Sequence, residues 1–194
     1  LNREIIKDYA EQYYQHVKAF PRYISATHSI CEDIEKRRIL LENLQDEENK
    51  DGDHPKLWKN FAKALGADEK EIEKVKLDWF TKDMIDNFFS QARKSYAEGL
   101  ASLYTYERQI PEIAETKIQG LKKFYGVSSN EGLEFFEAHK SADVIHRAEC
   151  EKLLDSLSKE EQEKAERASL LTARYLWNFL SGMTSKHKLE NIAA

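Results

Sequence analysis

The sequence predicts an all-α chain folded as a compact helical bundle. Three observations lead there. Only three prolines and seven glycines interrupt 194 residues. Alternating apolar and polar runs rich in β-branched residues, the mark of half-buried strands, are absent. Apolar residues recur instead at the three- and four-residue spacings of helices with one buried face.

Taken in order, Asn2 can cap a first helix with Ile6, Tyr9, Tyr13, Val17 and Phe20 on one stripe, and Pro21 is expected to kink or break it. A second stretch runs from Pro21 to about Cys31. Glu32 and Asp33 suit the start of a helix with Ile34, Leu41 and Leu44 inward and Gly52 marking its end. Pro55 is a favoured first-turn residue, so a short helix opens at His54 and stops at Gly66. After the acidic segment "ADEKEIEKVKLDWF", one long helix is expected from about Lys82 to Glu107, with Phe89, Tyr96, Leu100 and Leu103 on a shared face. Pro111 opens the next, which ends near Gly126. "SSNEGLEFF" caps the one after it, and a last helix covers about Lys159 to Leu180. Short loops between such helices imply one bundle, residues 1–194, without repeats or linkers.

Composition narrows the function. Thirty basic against thirty-five acidic residues give a net charge of −5 with the two signs interleaved, so nucleic acid is not an expected partner. No run of about eighteen apolar residues exists and the N-terminus lacks a signal-peptide pattern, so neither membrane insertion nor export is expected. Cys31 and Cys150 are the two cysteines and have no CxxC spacing, which fits a reducing cytoplasm better than a disulfide framework.

The chemistry begins in "HKSADVIHRAE". At about 100° per residue, His139, Asp143 and His146 fall within roughly 60° of one another on a helix. Phe135 and Phe136 precede them and Cys150 and Leu153 follow, so the polar trio sits in the stripe that should face the core. A bare buried carboxylate is costly and an imidazole needs partners for two nitrogens. Either a closed hydrogen-bond network or a metal compensates them. Glu107, in helical register with Phe89, Tyr96, Leu100 and Leu103, poses the same problem. Glu47 and His54 flank the turn at Gly52, where an acid-rich helix end is also consistent with ordinary solvated surface.

Together these are three carboxylates and three imidazoles, a set suited to two metals. The Asp-x-x-His step of the trio parallels the Glu-x-x-His device of di-iron bundles. Three anions against two divalent cations leave one positive charge for an anionic oxygen ligand. Oxygen and nitrogen donors without thiolate favour iron or manganese, although imidazole also serves zinc.

The strings "YYQHVKAFPRYISATHS", "LQDEEN" followed by "HPKLW", "LASLYTYERQIPEIAETKIQGLKKFYG" and "HKSADVIHRAE" resemble the CADD family, the chlamydial proteins associating with death domains. The similarity runs from Leu1 to about Ser158 and fades beyond. It implies the haem-oxygenase-like helical fold shared with TenA and PqqC, in the branch of di-metal oxidases. By the same resemblance Glu47, His54, Glu107, His139, Asp143 and His146 hold two metal ions, Fe/Fe or Fe/Mn, that work with O2 and a reductant. The implied activity is p-aminobenzoate synthesis for folate, in which a protein tyrosine becomes the aromatic product and a lysine supplies the amino group. Lys117 matches that lysine and Tyr106 a tyrosine beside the cluster that assists radical or proton transfer. On residue type alone Lys117 reads as a surface lysine and Tyr106 as core with a wet tip. The resemblance places the consumed tyrosine on a native N-terminal helix before Leu1.

Two other classes remain open at this level. One is a metal-free TenA- or PqqC-like enzyme of cofactor metabolism, against which stand the absent Pro-Cys context and the superfluous six ligands. The other is an interaction protein of the death-domain type, for which no exposed motif singles out a protein partner. A homodimer is expected from the family and from the prevalence of symmetric dimers.

Overall fold

A computed structural model describes residues 2–50 and 52–189, with side chains for all of these except residues 141–143. Among the described residues every regular element is a helix: α1 (Arg3–Ser29), α2 (Ile34–Glu47), α3 (His54–Ala64), α4 (Glu69–Ile72), α5 (Trp79–Lys94), α6 (Tyr96–Glu107), α7 (Ile110–Gly120), α8 (Asn130–Asp155) and α9 (Lys159–Lys186). The α-helical class expected from the sequence is what folds. None of the described helices is long and apolar enough to cross a membrane.

Local chemistry sets most of the boundaries. Asn2, Asp33, Asp53, Asp68 and Ser129 each accept a hydrogen bond from a first-turn N–H, and Ser158 forms a reciprocal capping box with Glu161. At the end of α7 a π turn, Leu121–Tyr125, closes on Gly126, whose φ of 67° puts it in the left-handed region open to glycine.

Four expectations need correction. Pro21 does not break the first helix, and α1 runs through it without interruption. A proline inside a helix costs about 3 kcal/mol, but Phe20, Tyr23 and Ile24 are buried around it and outweigh that cost. The long helix expected from Lys82 to Glu107 is two, because Ser95 is extended (φ −157°, ψ 161°) and its hydroxyl caps Glu98. Ser95 Oγ in turn donates to the Glu98 carboxylate at 2.8 Å, so "SYAE" is a start signal inside an apparently continuous pattern. On α2, Ile34 and Leu41 face solvent. The inward face carries Leu40, Asn43, Leu44 and Glu47 instead. The last helix also extends six residues past Leu180, to Lys186.

Helix α1 packs on α2, α3, α5 and α6, while α8 packs on α3, α6 and α7, and α9 covers α5 and α6. Gly182 lets α9 approach α5 closely, since a Cβ there would meet the Phe80 ring at 2.2 Å. The core is rich in aromatic rings. Trp58, fully buried, contacts the rings of Tyr9, Tyr13, Phe61, Phe135 and Phe136 and donates its indole N–H to Ala10 O at 2.7 Å.

Glu73, just after α4, pins that short helix to α1. Burial pushes its carboxyl upward, but hydrogen bonds from Lys18, Lys59 and Tyr14 more than offset this and hold it at about 2. A carboxylate depressed below its unfolded value stabilises fully above about 4.5 and loses that contribution as pH falls through about 2. Glu73→Gln is therefore expected to melt lower than the parent at pH 7, with the two curves converging towards pH 2 in a series of thermal melts.

Candidate metal centre and adjoining cavity

The end of α2, the start of α3, the end of α6 and the middle of α8 bring the predicted polar residues together. Glu47, His54, Glu107, His139 and His146 are all buried. Asp143 lies outside the residues whose side chains are described. His54, the first residue of α3, stands beside Glu47, the last of α2. Glu47 Oε1 stands 2.9 Å from His54 Nδ1. The His54 and His139 rings lie 4.1 Å apart by their centroids.

One donor atom each from Glu47, His54 and His139 falls within 4.8 Å of the others. Ligands about 2.1 Å from one ion stand up to roughly 4.2 Å apart, so a small contraction closes this cage on a divalent transition metal. The electrostatics agree. Burial first, then the neighbouring His54, drive the pKa of His139 well below the usual imidazole value, so its ring is neutral, the state that ligates. His139 Nδ1 lies 2.7 Å from Phe135 O. A carbonyl only accepts, so Nδ1 carries the proton and Nε2 keeps its lone pair for the cage.

The second group lies farther along α8. His146 Nδ1 is 4.0 Å from Glu107 Oε1, and His146 Nε2 is 3.0 Å from Asp46 Oδ2. Asn43 Nδ2 donates to Glu107 Oε1 at 2.7 Å, and Cys150 Sγ lies 3.7 Å from Glu107 Oε2. Asn43 and Asp46 escaped sequence reasoning. They sit one turn before and one residue before Glu47, and the signal for Asn43 was an amide on the inner face of α2. Asn43 fixes the orientation of the Glu107 carboxylate, and losing such an outer partner typically weakens metal binding roughly 10–100-fold. Asn43→Ala is expected to fall in that range in an iron titration while retaining its helical circular dichroism.

Tyr106, the residue before Glu107 in α6, is buried and shares a hydrogen bond with Tyr13. Its ring packs 5.0 Å from His16, a fully buried imidazole that burial lowers to about 3 and therefore keeps neutral. Lys117 is not on the open surface. Its Nζ donates to Tyr9 OH at 2.5 Å and lies 4.8, 5.6, 5.8 and 5.7 Å from the rings of Tyr9, Tyr13, Trp58 and Phe136. Lys117 and Tyr106 both line a largely apolar cavity of about 460 Å³ between α1, α7 and α9. The metal-ligating candidates do not line it, but Tyr106, which does, directly precedes Glu107 in α6.

A family model described as iron-containing redox enzyme matches residues 7–177. The chain belongs to that family. It is 42% identical over 181 residues to a 4-aminobenzoate synthase of Chlamydia trachomatis, covering 93% of this chain and 78% of that protein. A 4-aminobenzoate synthase of Nitrosomonas europaea is 38% identical over 197 residues, covering 94% and 79%. Among solved structures, a TenA homologue from Pseudomonas syringae superposes with a TM-score of 0.82 at 16% identity, over 95% of this chain and 81% of that one. A CADD-like protein from Nostoc punctiforme gives 0.78 at 16% identity, over 96% and 84%. The fold is thus that of the TenA-type, haem-oxygenase-like helical proteins, and the enzyme class is iron-containing redox.

Proposed function

We propose that the chain forms 4-aminobenzoate in an O2-dependent reaction at a dinuclear centre, two irons or iron with manganese, with Lys117 as the amino donor. Glu47, His54 and His139 would hold one ion, and Glu107, Asp143 and His146 the other. Such a pair supplies the oxidising power needed to take electrons from a phenol, with dioxygen and an external reductant as co-reactants. The protein does the rest. Phe135 fixes the tautomer of His139, Asn43 orients Glu107, and the ring-lined core around Trp58 keeps water from the reacting groups.

The observation that carries this reading is the place of Lys117. Its amine is held against the hydroxyl of Tyr9 in a cage of rings, on the same cavity wall as Tyr106, which adjoins Glu107. That is where an amine must stand to be transferred to an oxidised phenol ring. The two 4-aminobenzoate synthases quoted above support the product.

The test uses chains grown with ¹⁵N-lysine, loaded with ferrous iron alone or with manganese under nitrogen, and then opened to air with a reductant. Mass spectrometry is expected to find 4-aminobenzoate carrying the label from the parent chain and none above background from Lys117→Met. Unlabelled product, or none from either metal loading, would remove the proposal.

A further inference from the structure

We infer that Asp46 is the positioning residue of the second ion: it holds the His146 ring so that Nδ1, rather than Nε2, is the ligating nitrogen, and thereby sets how tightly that ion is held. The inference rests on the two-ion reading of the proposed function and gives a role to a residue outside the six ligands.

The two imidazoles of α8 are seven residues apart and tethered by opposite nitrogens. His139 gives Nδ1 to Phe135 O, which leaves Nε2 for an ion. His146 has Nε2 at 3.0 Å from Asp46 Oδ2 and Nδ1 at 4.0 Å from Glu107 Oε1. A carboxylate oxygen accepts, so the Asp46 contact puts a ring proton on Nε2 and keeps the Nδ1 lone pair on the side of Glu107. Two ligands about 2.1 Å from one ion stand up to roughly 4.2 Å apart. The 4.0 Å between His146 Nδ1 and Glu107 Oε1 fits within that span. An ordinary surface ion pair has both partners in water. Here the His146 side chain is 4% exposed and that of Asp46 57%, so the bond runs from solvent to a buried ring whose other nitrogen faces a buried carboxylate.

The two tethers differ in kind. Phe135 O is a backbone acceptor one turn back in the same helix as His139, and no side-chain substitution removes it. Asp46 comes from another helix, α2. Asn43, Asp46 and Glu47 fall at i, i+3 and i+4 in the final turns of α2, the spacing of side chains that neighbour one another on a helix. Glu47 stands in the first cage, Asn43 donates to Glu107 and Asp46 accepts from His146. One stretch of one helix therefore touches ligands of both ions. An ion held by Glu47 fixes the turn that carries Asp46, so the first site fills before the second. Removing the tether costs the second ion the roughly 10–100-fold in affinity typical of an outer partner and leaves the first in place.

Full-length chains labelled with ¹³C,¹⁵N-histidine are titrated with zinc(II), which is diamagnetic and redox-inert, against a chromophoric chelator. The parent is expected to bind two zinc ions, the second more weakly. NMR spectra of the two-zinc form should show His139 ligating through Nε2 and His146 through Nδ1, with a proton on His146 Nε2. Asp46→Ala should keep the first affinity and lose roughly 10–100-fold in the second, while Asp46→Glu recovers part of that loss. Because Asp46 is exposed, the metal-free melts of the parent and both variants should coincide. A merely structural role would move those melts and leave the ligating nitrogen of His146 unchanged. Ligation of His146 through Nε2 overturns the inference. So does an Asp46→Ala chain that keeps both affinities, or that loses both alike. A parent that takes up a single zinc sinks this inference and the two-ion reading together. Zinc forms no product, so every other outcome bears on Asp46 alone and leaves the synthase proposal to its own test.

Discussion

His139→Ala is expected to lose iron binding and product formation together while keeping its helices. His139 supplies one of three donors that stand within 4.8 Å of one another, and its ring is neutral and held in one tautomer by Phe135 O. The loss should exceed the roughly 10–100-fold drop typical when only an outer hydrogen-bond partner of a ligand is removed. The metal-free protein should suffer little, because alanine also removes an imidazole whose burial among rings is unfavourable without a metal. Thermal melts separate the two effects. A ligand present at a hundred times its Kd adds about 2.7 kcal/mol to the folded state, so added ferrous iron should raise the melting temperature of the parent chain clearly more than that of His139→Ala. Iron analysis after gel filtration is the second readout. A variant that still retains iron at the parent's level would place the metal elsewhere.

What could be read from the residues, and what could not, follows physical lines. Helix class, caps and most boundaries were legible because they depend on local chemistry: Asn2, Asp33, Pro55, Gly126 and Ser158 act on neighbours a few residues away. Continuity through Pro21 was not, since it depends on burial of the flanking Phe20 and Tyr23 by other helices. The break at Ser95 was legible in "SYAE" but lay inside a strong apolar period, so the face argument linking Glu107 to Phe89 crossed a joint between two helices. Glu107 is nevertheless buried, because Leu100 and Leu103 share its face within α6. The inner face of α2 was misjudged by about one residue, and with it Asn43 was overlooked. An uncharged amide carries little penalty to flag it in a sequence, whereas buried acids and imidazoles do. The pairing of Lys117 with Tyr9 joins residues 108 apart in the chain, and no spacing rule reaches that far.

Trp58→Ala is expected to be the most destabilising single substitution of those considered, and to damage the site as well as the core. Trp58 is fully buried and touches five rings, so truncation costs about 3–5 kcal/mol by lost burial and an unfilled cavity. Against a total stability of roughly 5–15 kcal/mol for a domain, that is a large fraction. Urea unfolding of metal-free samples should show it as a lower midpoint at similar slope. The consequence for function runs through Phe135, whose ring packs edge-on against Trp58 at 4.7 Å and lies tilted by 31° beside the His139 ring at 4.0 Å, and whose carbonyl accepts the hydrogen bond from His139 Nδ1–H. Loosening Phe135 loosens the imidazole. Iron affinity should therefore fall in Trp58→Ala even under conditions where the variant is fully folded. Trp58→Phe keeps a ring against Phe135 and should lose less of both. If Trp58→Ala bound iron as tightly as the parent while melting far lower, core packing and metal geometry would be independent, and the cage would have to be held by hydrogen bonds alone.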